Sequence, residues 1–180
     1  KDVIFFATTG TSNPQRGIYA INRDTDAPPF FSLQEDGWLG KDVSFVSDYR
    51  HPDGKDVLMM IGLFCDSAPN PKIQREYSTR AIVYLVDTEK NQAQKIDEVT
   101  IARHHADACL WRQGKLYITV EGVDAPGRVL VYDIDSTSGQ LSKNSDIMGD
   151  YFFLHGIDLN YGMLAVTEYG RSDVIISNEI

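Results

Sequence analysis

The stretch HADACLWRQGKLYITVEGVDAPGRVLVYDIDSTSGQLSKNSDI, residues 105–147, contains four short strand-like segments separated by turn-forming residues. The segments span residues 105–110, 115–120, 128–134 and 141–147. The second and third segments are rich in β-branched and aromatic residues, which favour strands, whereas glycine, proline, aspartate and serine between the segments favour turns. We therefore predict four consecutive strands, joined by short turns, within about 45 residues.

The same order of segments recurs along the chain. Second strands are predicted at residues 3–8, 57–61, 115–119 and 163–167, and their partners at 17–21, 81–86, 128–132 and 173–176. Several of these segments are apolar throughout rather than alternating, which indicates strands covered on both faces. No segment shows a long 3.6-residue period, so we predict little helix.

Repeated four-stranded units of this length are typical of propeller blades. We predict an all-β protein, a β-propeller built of four-stranded antiparallel blades, in which residues 1–180 form a single domain of about four blade units. The first unit lacks an inner strand and the last lacks an outer strand. We expect the chain to be part of a six- or seven-bladed ring; a four-bladed ring, or one completed by another chain, is the alternative.

Composition excludes several classes of partner. The net charge is −9 and the pI is about 4.8, so the chain has no basic surface for nucleic acid or an anionic membrane. No apolar run approaches the ~20 residues of a transmembrane segment, and Lys1-Asp2 leads directly into a strand-like run, unlike a signal peptide. The two cysteines, Cys65 and Cys109, are expected to be buried thiols, with a single bridge as the alternative.

Two histidines open the inner strands of adjacent units. His105 lies in RHHAD and His155 in LHGID, and Asp107 and Asp158 follow them. Inner strands of a propeller line its central channel, so we expect these side chains to converge on one axis. Neutral imidazole can act as a general base near pH 7. We predict His105 and His155 as catalytic residues, with Arg103, Asp107 and Asp158 binding substrate; a structural reading, in which these residues hydrogen-bond one blade to the next, remains open.

Carboxylates at matched positions are candidate metal ligands. Glu121 and Glu168 each follow a threonine at the end of a second strand, and the preceding unit carries Asp42 and Asp48 in an inner strand predicted at residues 42–48. Carboxylate oxygens suit calcium. We predict Glu121, Glu168 and Asp48 as metal ligands, with solvated strand ends as the alternative for the two glutamates.

Several chemistries are excluded by their missing motifs. The sequence has no Gly-rich phosphate loop, no Cys-x-x-Cys, no His-Glu-x-x-His and no Gly-x-Ser-x-Gly. Nucleotide phosphate binding through a P-loop, zinc binding at its usual spacing and a serine hydrolase elbow are therefore not expected.

The phrase LHGIDLNYGMLAVTEYG, residues 154–170, resembles the blade signature of the paraoxonase, strictosidine synthase-like and gluconolactonase propellers. The segments HADA, GKLYIT and VLVYDID in residues 105–135 look like variants of it. The resemblance implies a central calcium ion at the channel mouth and, for paraoxonase-like members, hydrolysis of lactones and aryl esters by a His-assisted water. The calcium-binding asparagines of those families are not found after the histidine or glycine of this phrase.

Two functions are therefore expected from the sequence. One is a lactonase- or esterase-like hydrolase that uses His105 or His155 on a small ester or lactone. The other is a non-catalytic propeller that binds a ligand or a protein partner through its rim loops, residues 65–78 and 122–127.

Overall fold

The computed structural model describes residues 3–8, 17–23, 31–66, 78–102, 104–122, 126–151, 154–160, 162–168 and 174–177. Within these residues the protein is all-β, with fourteen strands and no helix. The strands are β1 (Val3–Thr8), β2 (Gly17–Asn22), β3 (Phe31–Leu33), β4 (Trp38–Phe45), β5 (Leu58–Asp66), β6 (Ser78–Asp87), β7 (Gln92–Ala102), β8 (His104–Arg112), β9 (Lys115–Gly122), β10 (Gly127–Ile134), β11 (Leu141–Tyr151), β12 (Leu154–Asn160), β13 (Met163–Glu168) and β14 (Val174–Ser177).

The strands form four antiparallel sheets that follow the chain order. The first sheet contains β1–β3, the second β4–β7, the third β8–β11 and the fourth β12–β14. The second and third sheets have four strands each, and the third contains the four strands predicted from residues 105–147. Each sheet is a meander in which neighbours in sequence are neighbours in space, because short turns can only join antiparallel strands.

One predicted strand boundary is corrected, and the place of β1 agrees with the prediction. β4 and β8 run parallel, because the Cys109 and Trp111 amides bind Asp42 and Ser44 in the same order along the two strands. β1 runs antiparallel to β4, because Gly17, the partner of Thr8, lies against Gly40, whereas Phe5 contacts Phe45. This is the direction of a second strand, as predicted for residues 3–8, and the described part of the first sheet has no inner strand. The inner strand of the second sheet was predicted at residues 42–48, but β4 starts at Trp38 and ends at Phe45. The sequence pattern also missed β3 and β7.

The sheets pack face to face, so their central strands are buried on both sides. In β5, Met59 and Ile61 belong to the core shared with the third sheet, whereas Met60 and Phe64 belong to the core shared with the first. A third core lies between the third and fourth sheets. Because successive side chains of a strand point to opposite faces, a strand between two sheets must be apolar at every position. The continuous apolar runs thus predicted stacked sheets correctly.

Side chains of the second sheet complete the hydrogen bonding of the third. The edge of β8 that faces the second sheet has no strand partner there, and its backbone N–H groups bind side-chain oxygens instead. In sequence order along β8, Ala106 donates to Thr79 Oγ1 (3.0 Å), Cys109 to Asp42 Oδ2 (2.8 Å) and Trp111 to Ser44 Oγ (2.8 Å). Buried backbone donors must be paired, so these bonds fix the second sheet against the third.

The described sheets do not close into a ring. No helix in the described residues has the length and apolarity needed to cross a membrane. Cys65 and Cys109 are both free and buried, which confirms the expectation of two unbridged thiols.

Candidate functional site

A β-bulge near the start of each of three neighbouring inner strands builds the site. Lys41 of β4 and Asp107 of β8 are extra residues between paired neighbours, and in β12 the pair His155-Gly156 lies opposite the single residue Thr167. A bulge leaves an additional residue outside the regular ladder and redirects its side chain. The three bulges follow one another from sheet to sheet, and the side chains of Lys41, Asp107 and His155 meet.

Two imidazoles face the same two carboxylates. His105 Nδ1 is 3.5 Å from Asp107 Oδ2 and 3.4 Å from Glu121 Oε2. His155 Nε2 is 3.5 Å from Asp107 Oδ2 and 3.1 Å from Glu121 Oε1. We call His105, Asp107, Glu121 and His155 the His–carboxylate cluster. The prediction that His105 and His155 come together is confirmed, because both reach Asp107 and Glu121.

Asp107 has one oxygen occupied and one without a hydrogen bond. Lys41 Nζ donates to Oδ1 at 2.6 Å, and both side chains are largely buried. Oδ2 is buried and accepts no hydrogen bond from the described residues, although it lies 3.5 Å from each of the two imidazoles. A buried carboxylate oxygen without a donor is costly. This oxygen can be satisfied by a bound cation or by the His105 imidazole in its protonated form, 3.5 Å away.

The position of His105 gives its imidazole a high affinity for protons. Burial alone would lower the pKa of His105, but the hydrogen bonds with Cys65 and Glu121 and the negative charge of Asp107 outweigh burial and raise the pKa to about 9. Cys65 is buried at the end of β5, on the second sheet. Groups from both sheets thus hold His105.

His155 is the most exposed member of the cluster. Its side chain is 40% exposed, whereas those of His105, Asp107 and Glu121 are 13–20% exposed. Thr119 Oγ1 donates to the His155 carbonyl at 2.9 Å, which ties β12 to β9 beside the cluster. A fixed imidazole with carboxylate partners on one side and solvent on the other is suited to exchange protons with a bound molecule.

The two histidines are neighbours without being equivalent. Both strands have a bulge, and by position in the bulge His155 corresponds to Asp107, two residues after His105. Counting from each histidine in the sequence therefore pairs the wrong residues. Asp158, predicted as the counterpart of Asp107 in substrate binding, is exposed and accepts a hydrogen bond from the Leu159 amide instead. Arg103 lies outside the described residues.

The predicted metal ligands are separated in the structure. Glu121 pairs with His105 in the ladder, but Glu168 pairs with Leu154, which corresponds to Ala106. Glu168 is thus one residue out of step with Glu121, so it points to the opposite face and is buried. Asp48 is exposed in the turn that follows β4. Of the three, Glu121 alone belongs to the cluster.

The cluster does not fit the calcium ion that the resemblance implied. Calcium takes six to eight oxygen ligands, whereas two of the four groups here are imidazoles and two of the predicted oxygen donors lie elsewhere. No calcium-assisted step is therefore assigned to this site.

Lys41 and Cys65 are members of the site region that sequence reasoning missed. Both come from the second sheet, in which no histidine marks the strand start. The available signal for Lys41 was its position one residue before Asp42, where the inner strand of the preceding unit was predicted to begin. The bulge that places it cannot be read from that pattern.

The described cavities lie away from the cluster. One of about 440 Å³ is lined by residues that include Val3, Phe45 and Leu58, and one of about 430 Å³ by residues that include Arg112 and Asn160. Phe45, Arg112 and Asn160 are the last residues of β4, β8 and β12, whereas Lys41, His105 and His155 lie nearer the first residues of these strands. The rim loops predicted to bind a partner, residues 65–78 and 122–127, fall mostly outside the described residues.

Comparison with known proteins adds no family to these observations. The chain matches no family model, and it matches no curated protein.

Proposed function

We propose that this chain is part of a β-propeller hydrolase that cleaves a small ester or lactone at the His–carboxylate cluster. The single observation that carries the proposal is the environment of His155. Its imidazole is 3.1 Å from Glu121 Oε1 and is partly open to solvent. A carboxylate that orients a solvent-facing imidazole is the arrangement that general-base catalysis requires.

The chemistry assigns one role to each group. His155 takes a proton from a water molecule, whose oxygen attacks the carbonyl carbon of the ester. The carbon–oxygen bond to the leaving group then breaks, and the leaving oxygen receives the proton from His155. Glu121 keeps the imidazole oriented and stabilises its positive charge. The products are a carboxylic acid and an alcohol, or one hydroxy acid from a lactone.

The packing of the sheets supports the propeller part of the proposal. Four antiparallel meanders stack in chain order, and the first strands of the last three, β4, β8 and β12, lie side by side. This is the relation between successive propeller blades. We propose that further blades, from the same protein or from a second chain, complete a six- or seven-bladed ring.

Hydrolysis of a panel of lactones and aryl esters tests the function. We expect activity in the unchanged chain and a loss of at least about 100-fold in kcat for His155→Ala, in line with the usual contribution of a general base. Asp158→Asn, which removes an exposed carboxylate of the same strand, is the control and should keep full activity. An unchanged rate in folded His155→Ala would refute the assignment.

A non-catalytic scaffold is the second candidate, and the Lys41–Asp107 ion pair favours it. This pair joins β4 to β8 at 2.6 Å and is largely buried, so the cluster also connects neighbouring sheets. In that case His155→Ala lowers only the free energy of unfolding, and no member of the panel is hydrolysed. The same two measurements, the hydrolysis rate and the unfolding midpoint, therefore separate the candidates.

A further inference from the structure

We infer that His105, Asp107 and Glu121 form a binding site for a divalent transition metal ion of the zinc type, with His155 beside the ion's open position. The inference goes beyond hydrolysis, because such an ion could also serve a purely structural role. It rests on the spacing of the ligand atoms, on the Asp107 oxygen that accepts no hydrogen bond from a described residue, and on the different contacts of the two oxygens in each carboxylate.

The ligand atoms have the spacing of a tetrahedral site. For metal–ligand bonds of about 2.0–2.1 Å, the edges of a tetrahedron measure about 3.3–3.4 Å. His105 Nδ1 lies 3.5 Å from Asp107 Oδ2 and 3.4 Å from Glu121 Oε2. One ligand atom from each of these three residues lies within 4.8 Å of the others. An ion can therefore reach all three with only small side-chain movements.

In each of the two carboxylates, one oxygen contacts a neighbouring side chain and the other is positioned to bind a metal ion. Asp107 Oδ1 accepts a hydrogen bond from Lys41, whereas no described group donates one to the buried Oδ2. Glu121 Oε1 faces His155, and Oε2 faces His105. A metal ion bound by Oδ2 and Oε2 would satisfy the first of these oxygens without breaking the contacts of Lys41 or His155.

The donor set selects the type of ion. One imidazole with two carboxylates suits zinc and its neighbours among the divalent transition metals, whereas calcium and magnesium prefer oxygen ligands alone. Catalytic zinc sites use three protein ligands and leave one position open.

Metal titration of the chelator-treated chain tests the inference. We expect one equivalent of Zn²⁺ to bind, Co²⁺ to give the visible absorption of a tetrahedral complex, and Ca²⁺ not to compete for the site. Glu121→Gln and Asp107→Asn should each weaken Zn²⁺ binding at least about 100-fold, more than the 10- to 100-fold typical of residues that only orient a ligand. Asp48→Asn and His51→Ala remove a carboxylate and a histidine outside the cluster and should leave the affinity unchanged.

Four outcomes would overturn the metal site. They are the absence of stoichiometric Zn²⁺ binding, a Zn²⁺ affinity of Glu121→Gln and Asp107→Asn equal to that of the unchanged chain, binding of Ca²⁺ more tightly than Zn²⁺, and the absence of a tetrahedral Co²⁺ spectrum. If a variant does not fold, the shift of the imidazole NMR signals of the unchanged chain on addition of Zn²⁺ decides instead, because His105 must respond and His51 must not. Hydrolysis of the panel by a chain that binds no Zn²⁺ refutes the metal site alone. Zn²⁺ binding without hydrolysis refutes the proposed function alone.

Discussion

The hydrogen bond from the Ala106 amide to Thr79 Oγ1 should be measurable in the stability of the protein. Thr79 is 0% exposed, and the bond, 3.0 Å long, joins the second sheet to the first residues of β8. Thr79→Val keeps the branched shape of the side chain but removes the hydroxyl acceptor, so a buried N–H loses its partner. A buried donor without a partner costs about 1–3 kcal/mol. For a chain of this size the loss corresponds to a fall of about 2–12 °C in Tm.

Urea unfolding monitored by tryptophan fluorescence measures this loss, since Trp111 is buried on β8. Thr100→Val makes the same chemical change at an exposed position of β7 and should alter the free energy of unfolding by less than about 0.5 kcal/mol. If Thr79→Val were no more destabilising than Thr100→Val, side-chain acceptors would not be what holds the two sheets together. Because Ala106 precedes Asp107, Thr79→Val should also weaken the cluster in any assay of its function.

Two further predictions concern the contact of the first and second sheets and the response to alkali. Gly40→Ala should destabilise the protein by about 1–3 kcal/mol in urea unfolding, because the new Cβ would lie 2.5 Å from the carbonyl oxygen of Gly17, a backbone atom that cannot move aside; an unchanged midpoint would contradict this packing. Burial and the hydrogen bond to Glu35 raise the pKa of Tyr84 above its ordinary value of 10.0, so its stabilising contribution is complete below that pH and is lost as the pH rises through the higher folded pKa. The stability advantage of the unchanged chain over Tyr84→Phe should therefore shrink by roughly 1 kcal/mol between about pH 8 and about pH 11, and an equal difference at both pH values would refute the shift.

The strand content could be predicted because it depends on local patterns. Runs such as residues 116–118 and 129–132 are apolar at every position, and in the structure both lie between two sheets. Turn residues between them fix the antiparallel order. Strand β7 was missed because its sequence, QAQKIDEVTIA, is mostly polar and exposed, so no apolar run marks it.

The candidate site could be predicted only in part. The proximity of His105 and His155 followed from their places at the starts of adjacent inner strands, and Asp107 and Glu121 are indeed their partners. Asp158 and Glu168 were predicted to join the site but lie outside the cluster. Those predictions assumed that residues at equal sequence distance from a histidine or a threonine occupy equivalent positions in neighbouring sheets. One extra residue in a strand reverses the direction of every side chain that comes after it.

The sequence by itself determined that the chain forms stacked antiparallel sheets. A strand that is buried on both faces is apolar without alternation, and this pattern can be recognised within the strand without knowledge of its partners. The tertiary structure decided which polar groups meet. Lys41, Asp107 and His155 come from three different sheets, and three bulges bring them together. A bulge depends on the pairing of two strands and not on the composition of one, so the members of the site can be identified only from the tertiary structure.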